Sequence, residues 1–433
     1  MERNSDSPGR RIPSPEKNLW RNADFLKLWS AQTVSVTGSL LGALQFTAIL
    51  TLDATPVQMS ALTAAGVLPA LLFGFVVGAW VDRLKRRPIL IAADLIRMAL
   101  LGSIPVAWAI DMLHIEQLYV VAFFHGLMTI FFDIAYRSYL PSLVDSRTLV
   151  TANSRLSATA SAAEVGAFSL GGWIAQLFSA IVVTAVDSAT FLVSALLLFW
   201  IRRREPTPAP TTQTPGIRRE IIEGLKLVFG SPVLRAIGVS KAAMGLAGGI
   251  IGTLIVLYGI ETLGFEPGVL GTIFAVGGVS SIVGALNVGR LTRRFGLGRM
   301  LVVGFLIYGI SGFLIPLARG PLWTAGAILT AAQLFDFSMT SYEVNEMSLR
   351  QSVTPQRLLG RVNASMEVTM LSFQLLGALL AGALAETVGM RWALFVGSSF
   401  MVFGGVWLLL SPMWRMGVVP DSELGQTTLD ACK

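Results

Sequence analysis

One cysteine in 433 residues, Cys432, and two histidines, His114 and His125, set the first limits. An internal disulfide is excluded, and neither a cysteine-based nor a histidine-built metal centre can be assembled from so few ligands. Charge is also scarce. Asp, Glu, Lys and Arg make up 14% of the chain, where a soluble domain carries roughly 25%. No P-loop, nucleophile–base set or metal-ligand cluster stands out, so neither an enzyme nor an ATP-driven pump is expected, and no cofactor. The opening "MERNSDSPGRRIPSPEK" has no apolar core for a cleaved signal peptide. What the chain has in quantity is apolar residues: 53%, with a mean hydropathy of +0.66. Most of its surface is expected never to meet water.

A membrane-crossing helix needs about 20 mostly apolar residues. Twelve segments qualify, called spans 1 to 12: 26–50, 57–81, 88–110, 116–139, 155–178, 180–201, 233–260, 267–289, 299–318, 321–347, 362–387 and 391–412. Placing the N-terminus inside puts 29 of the 33 Lys and Arg residues on the inner segments, leaving Arg319 and Arg391 outside and Arg97 and Lys241 within spans. A wrong span count would scramble that alternation. The basic residues thus mark one membrane face rather than a nucleic-acid-binding patch. Both termini are expected in the cytoplasm of a bacterial cell, with the chain in the inner membrane.

The expected organisation is a tail at 1–25, a six-helix bundle at 26–201, a linker at 202–232, a second six-helix bundle at 233–412 and a tail at 413–433. The linker begins with the Pro/Thr-rich "RRREPTPAPTTQTPG". Ile221, Ile222, Leu225, Val228 and Phe229 then fall at helical spacing, which predicts an amphipathic surface helix. The halves echo one another: "GAWVDRLKRR" after span 2 has a weaker counterpart in "VGRLTRRFGLGR" after span 8. Such repetition is expected of a transporter built from structural repeats.

Between spans 2 and 3, Gly78, Asp82, Arg83, Arg86 and Arg87 form the pattern G-x-x-x-D-R-x-x-R-R. With this motif in this place, the chain resembles the major facilitator superfamily over nearly its whole length. "FFDIAYRSYLPSLV", "RREIIEGLKLVF" and "SVTPQRLLGRVNAS" look most like its bacterial exporters of macrolides, siderophores and drugs. The resemblance implies two six-helix bundles rocking about a midplane site, with a cavity lined by spans 1, 4, 7 and 10. It also implies that Asp82 latches onto a helix end in the other half, near Arg361, where the helix dipole favours a carboxylate. The alternative is that the basic cluster only anchors topology. Two features depart from the drug–proton antiporters: the span-4 arginine is missing near Ala122, and their G-P-x-x-G-G signature reads "AFSLGG" here, keeping Gly171 and Gly172.

An ionisable group at the bilayer centre costs about 2.5–3.5 kcal/mol on insertion scales, so each needs a partner, a wet cavity or a task. Span 4 carries His125, Thr129, Asp133 and Arg137 at four-residue steps, and span 10 carries Gln333, Asp336, Thr340 and Glu343 at steps of three, four and three. Each set is one polar stripe. Asp133 either pairs with Arg137 or couples transport to protons. Asp336, with no cation within a turn, is the stronger coupling candidate, for a proton or another cation, the alternatives being a substrate contact or a buried neutral group; Glu164 and Glu367 are weaker candidates. Lys241 either snorkels to the surface or neutralises Asp336 or Glu367. Asp94 and Arg97 are expected to form a structural ion pair, and Asp187 a structural polar contact. Small residues at Gly377, Ala381 and Ala385 favour close helix packing.

The expected function is a monomeric secondary transporter that exports hydrophobic or amphiphilic small molecules by alternating access, with proton exchange the favoured drive. A proton-independent transporter or nutrient importer is the first alternative, and a non-transporting sensor or scaffold the second.

Overall fold

The computed structural model describes residues 19–81, 83–144, 148–203, 205 and 226–415. Among them every regular element is helical. Lipid offers no hydrogen-bond partners, so each crossing segment must satisfy its own backbone, and a helix does this within one segment. Span 1 is Ala23–Ser39 followed by Ala43–Leu52, and spans 2 to 6 are Pro56–Val81, Arg86–Ala109, Ile115–Leu143, Leu149–Leu177 and Ala180–Phe199. Span 7 is Pro232–Leu257, continued by a π turn at Tyr258–Thr262. Spans 8 and 9 are Pro267–Phe295 and Leu297–Ser311, and span 10 is Leu322–Gln333 followed by Asp336–Val353. Spans 11 and 12 are Gln356–Val388 and Met390–Leu410. All twelve expected segments are helices, in two six-helix bundles.

Several helices run past the apolar limits read from the sequence. Span 8 continues to Phe295 and span 10 to Val353, because helical hydrogen bonding persists after hydropathy falls at the basic end. Among the described residues, ten helical stretches are long and apolar enough to cross a membrane; spans 5 and 10 are the other two. Span 5 is rich in Ser, Thr and Ala and includes Arg155 and Glu164, and span 10 is split into a 12-residue and an 18-residue helix. Their polarity is tolerable only against protein or a wet cavity.

Local sequence explains most helix starts. Asn22 accepts from the backbone N–H groups of Asp24 and Phe25 at the start of span 1, and Ser179 and Ser231 cap spans 6 and 7. Pro232 and Pro267 sit in the first turns of spans 7 and 8, where the missing N–H costs nothing. Span 3 is capped from a distance. Glu205 accepts from the backbone N–H of Arg86 at 2.7 Å and of Arg87 at 3.2 Å, while also pairing with the Arg86 guanidinium at 3.3 Å. Arg87 donates to the Leu198 and Phe199 carbonyls in the last turn of span 6. The cations at the start of span 3 thus tie it to span 6, and Arg83 is exposed. Asp82 lies outside the described residues, as do Ile221, Ile222, Leu225 and most of both tails and the linker.

The core places the opening. At the end opposite the basic loops, one apolar cluster runs through both bundles, from Phe46, Ile49 and Met59 to Leu254, Leu270 and Ala381. At the basic end it divides: Phe25, Leu90, Phe132 and Leu198 belong to one cluster, and Leu301, Phe305, Tyr342 and Val362 to another. Hydrogen bonds bridge the bundles only where the core is shared, among the described residues. Trp173 on span 5 donates to Thr272 on span 8 at 3.0 Å, and the Gly268 N–H donates to Gln176 at 3.0 Å. Gln176 also donates to Glu266. The bundles are joined at the far end and apart at the basic end.

Candidate functional site

A cavity of about 700 Å³ occupies the gap that widens toward the basic end. Span 5 contributes Ala158, Ser161 and Glu164, and span 8 contributes Phe274, Ile282 and Leu286. Tyr308 of span 9 and Asp336, Met339, Thr340 and Glu343 of span 10 complete the wall. Of the four helices that the family resemblance assigns to a central cavity, only span 10 contributes to this wall. Spans 5 and 8 pack closely where Gly271 and Gly278 meet Ser169 and Val165, and the cavity lies beside that seam.

Asp336 owes its position to an interruption in span 10. The helix stops at Gln333 and restarts at Asp336, which puts the carboxylate at the head of the second segment, about midway along the span. Ser280 of span 8 repairs the interruption: its hydroxyl donates to the Leu334 carbonyl at 2.6 Å and accepts from the Phe337 N–H at 3.1 Å. Gly277, one turn before Ser280, gives the carboxyl room. A Cβ there would lie 2.1 Å from Asp336 Oδ2 and 3.2 Å from Gln333 Nε2. Thr340 donates back to the Asp336 backbone carbonyl at 3.4 Å.

Three carboxylates therefore face one cavity: Asp336 near mid-depth, with Glu343 and Glu164 on facing helices nearer the basic end. Among the described residues none of them lies within 4 Å of a cationic side chain. Lys241, which the sequence could have paired with Asp336 or Glu367, is instead 3.4 Å from Glu346, and Arg350 approaches the same carboxylate at 3.3 Å. Glu346 is 2% exposed and was missed in the sequence, although its four-residue spacing from Arg350 was a usable signal. Ser280, Tyr308 and Phe274 were missed as well, and no motif marks them.

The remaining candidates lie elsewhere. Asp133 and Arg137 are both exposed, and among the described residues neither forms an ion pair. Glu367 is exposed on span 11, away from the cavity wall. A Cβ at Gly78 would meet open space. Thr129 donates to the His125 carbonyl at 2.9 Å, and the His125 ring packs edge-on against Phe191 with centroids 5.5 Å apart. Asp94 and Arg97 are buried in contact with each other. Ser194 donates to Asp94 at 2.6 Å, and the guanidinium lies between the Phe132 and Phe191 rings, 4.4 and 4.3 Å from their centroids. That is a packed pair inside the N-terminal bundle, with no share in the large cavity.

The comparisons agree with this architecture. The chain is 28% identical over 380 residues to the multidrug efflux pump Tap of Mycolicibacterium fortuitum, covering 84% of this chain and 88% of that protein. It is 24% identical over 213 residues to the enterobactin exporter EntS of Salmonella choleraesuis, 48% of each chain. Among solved structures, the fold is shared with a bacterial homologue of the iron transporter ferroportin in its inward-facing state: TM-score 0.72, 17% identity, 89% of this chain and 98% of that one. It is shared also with the nucleoside transporter NupG: TM-score 0.70, 12% identity, 91% and 99%. The pattern of the Major Facilitator Superfamily matches residues 28–373. With twelve spans in two bundles, a cavity open at one end and that match over most of its length, the chain is a multi-pass membrane transporter belonging to the Major Facilitator Superfamily.

Proposed function

We propose that this transporter exports amphiphilic small molecules across a bacterial inner membrane in exchange for protons, with Asp336 as the principal proton carrier. The observation that carries the reading is a set of three carboxylates, unpaired among the described residues, on one cavity whose other walls are mostly apolar and aromatic, with Ser161, Ser281 and Thr340 the polar exceptions. An ionised carboxylate at mid-depth is costly without a partner, so Asp336 has reason to hold a proton or to face a cationic or hydrogen-bonding cargo. Glu343 and Glu164 lie along the way to the basic end and offer the next positions for a proton leaving the cavity. Phe274, Ile282, Leu286 and Met339 supply surface for the apolar part of a cargo. The positive-inside rule puts the basic end, and therefore the opening, in the cytoplasm, where an exporter loads. Efflux by the relatives Tap and EntS supports the direction.

In this scheme cargo and proton compete for the same carboxylates. A proton acquired from outside neutralises Asp336 and favours closing the outer end; its release to the cytoplasm restores the charge that cargo meets. The drive acts only through such a differential preference for the two states. The test is accumulation of amphiphilic dyes and antibiotics in inverted vesicles from an efflux-deficient strain, with the pH gradient intact or collapsed. Accumulation should require the gradient and drop at least about tenfold in Asp336→Asn, a change of roughly 1.4 kcal/mol in effective coupling. Accumulation indifferent to the gradient would sink proton exchange while leaving export in place.

A further inference from the structure

A second cavity, of about 370 Å³, lies inside the N-terminal bundle at the break in span 1; it shares no lining residue with the Asp336 cavity, and Phe168 of its wall packs against Phe274 of the other with centroids 5.5 Å apart. Leu40 to Gly42 interrupt the span, and Gly42 holds φ +74°, a left-handed conformation that costs glycine little. The ten-residue helix Ala43–Leu52 starts there with no side-chain cap. Gly42, Ala43, Leu44 and Gln45 all touch the cavity. Four consecutive residues cover more than one helical turn, so the cavity abuts the helix end rather than one flank. The N–H groups of residues 43–45 have no hydrogen-bond partner among the described residues, and they carry the positive end of the helix dipole.

Opposite charge lines the same space. Asp187 of span 6 lines it and is 4% exposed; its Oδ1, packed toward Gly38, has no hydrogen-bond partner among the described residues. His125 Nε2 is likewise buried, unpartnered and part of the lining residue set. The nearby cation, Arg97, is engaged by Asp94 and enclosed by two phenylalanines. Leu40, Leu44, Leu101 and Phe168 make up the apolar wall. An anion alone would leave Asp187 unpaired and repelled, and a cation alone would leave the helix end unanswered. A buried polar group left without its partner costs about 1–3 kcal/mol. Both demands are met by one molecule carrying both charges.

We propose that this cavity binds a small zwitterion with an apolar side chain, a free α-amino acid in type. Its carboxylate meets the N–H groups of residues 43–45, its ammonium meets Asp187, and its side chain lies among the four apolar residues. The site does not depend on the export reading, because it shares no residue with the Asp336 cavity.

The probe is radiolabelled L-phenylalanine in equilibrium dialysis against the purified full-length protein. Competitors are L-phenylalaninamide, which lacks the carboxylate, 3-phenylpropionate, which lacks the amine, and phosphoethanolamine, a lipid-type head. Saturable binding at or below about millimolar is expected, each half-ligand competing at least about tenfold more weakly. Asp187→Asn should weaken phenylalanine binding about tenfold while leaving 3-phenylpropionate unchanged, and Asp336→Asn should leave both unchanged. Should Asp187→Asn fail to fold, the half-ligand comparison on the wild-type protein decides. Equal competition by the half-ligands, no saturable binding, or displacement by phosphoethanolamine alone would each overturn the proposal.

Discussion

Within the N-terminal bundle, removing either Asp94 or Arg97 leaves the other charge enclosed with nothing to neutralise it. Breaking such a pair costs about 3–5 kcal/mol, whereas replacing both partners by apolar side chains of similar volume is often neutral. Asp94→Leu and Arg97→Met should each lower the melting temperature of the purified protein, and the double variant should recover most of the loss. Additive losses would mean that the two charges are not coupled. Gly277 makes a different demand, because even one added carbon would collide with Asp336. Misplacing a reacting group by about an ångström costs on the order of 100-fold. Gly277→Ala is therefore expected to reduce gradient-driven accumulation about as much as Asp336→Asn, and thermal unfolding should show the protein still folded. Normal accumulation in Gly277→Ala would show that the carboxylate can move aside freely.

The interrupted helices carry the same logic to larger pieces. Ser280 satisfies both sides of the break in span 10, so Ser280→Ala leaves a carbonyl and an N–H unpaired, at about 1–3 kcal/mol each. Hydrogen exchange should show faster opening confined to residues near 334–337; unchanged protection there would mean that water or a register shift takes over. The break also shows where sequence reading stops. Apolar run length and the alternation of basic loops located all twelve spans, because lipid imposes one backbone solution on every crossing segment. Nothing in "QLFDF" announces an interruption, since it has neither Gly nor Pro, and the residue that stabilises the break is 54 positions away. The break in span 1 was more legible, with glycines at 38 and 42. Spacing placed Asp336, Thr340 and Glu343 on one face. It could not choose Glu346 over Asp336 or Glu367 as the partner of Lys241, because that choice depends on the packing of span 7 against spans 10 and 11. Nor could it foresee a cavity walled by spans 5 and 8, which depends on how the two bundles sit against each other.

For the whole molecule, the joined end and the parted end imply a second arrangement with the two exchanged. Paired spin labels at Arg83 and Arg290, and at Asp111 and Arg319, all exposed positions, would follow both ends at once. Adding cargo should shorten the first distance and lengthen the second, and lowering the pH should oppose that change. Gln176→Ala, which removes the side chain bonded to Gly268 and Glu266, should move the population as cargo does, in its absence. Two invariant distances would favour a static scaffold.

The divided core bears on how the protein is assembled. Each bundle has its own packed cluster at the basic end, and the two clusters have no residue in common. The surface that the bundles share elsewhere is mostly apolar apart from the contacts of Trp173 and Gln176, and lipid tails cover apolar surface at little cost, unlike water. Synthesised as separate fragments, the two halves should each insert, persist and find one another in the bilayer. Coexpression of residues 1–215 with 216–433 is expected to restore a substantial share of dye extrusion, with neither fragment active alone.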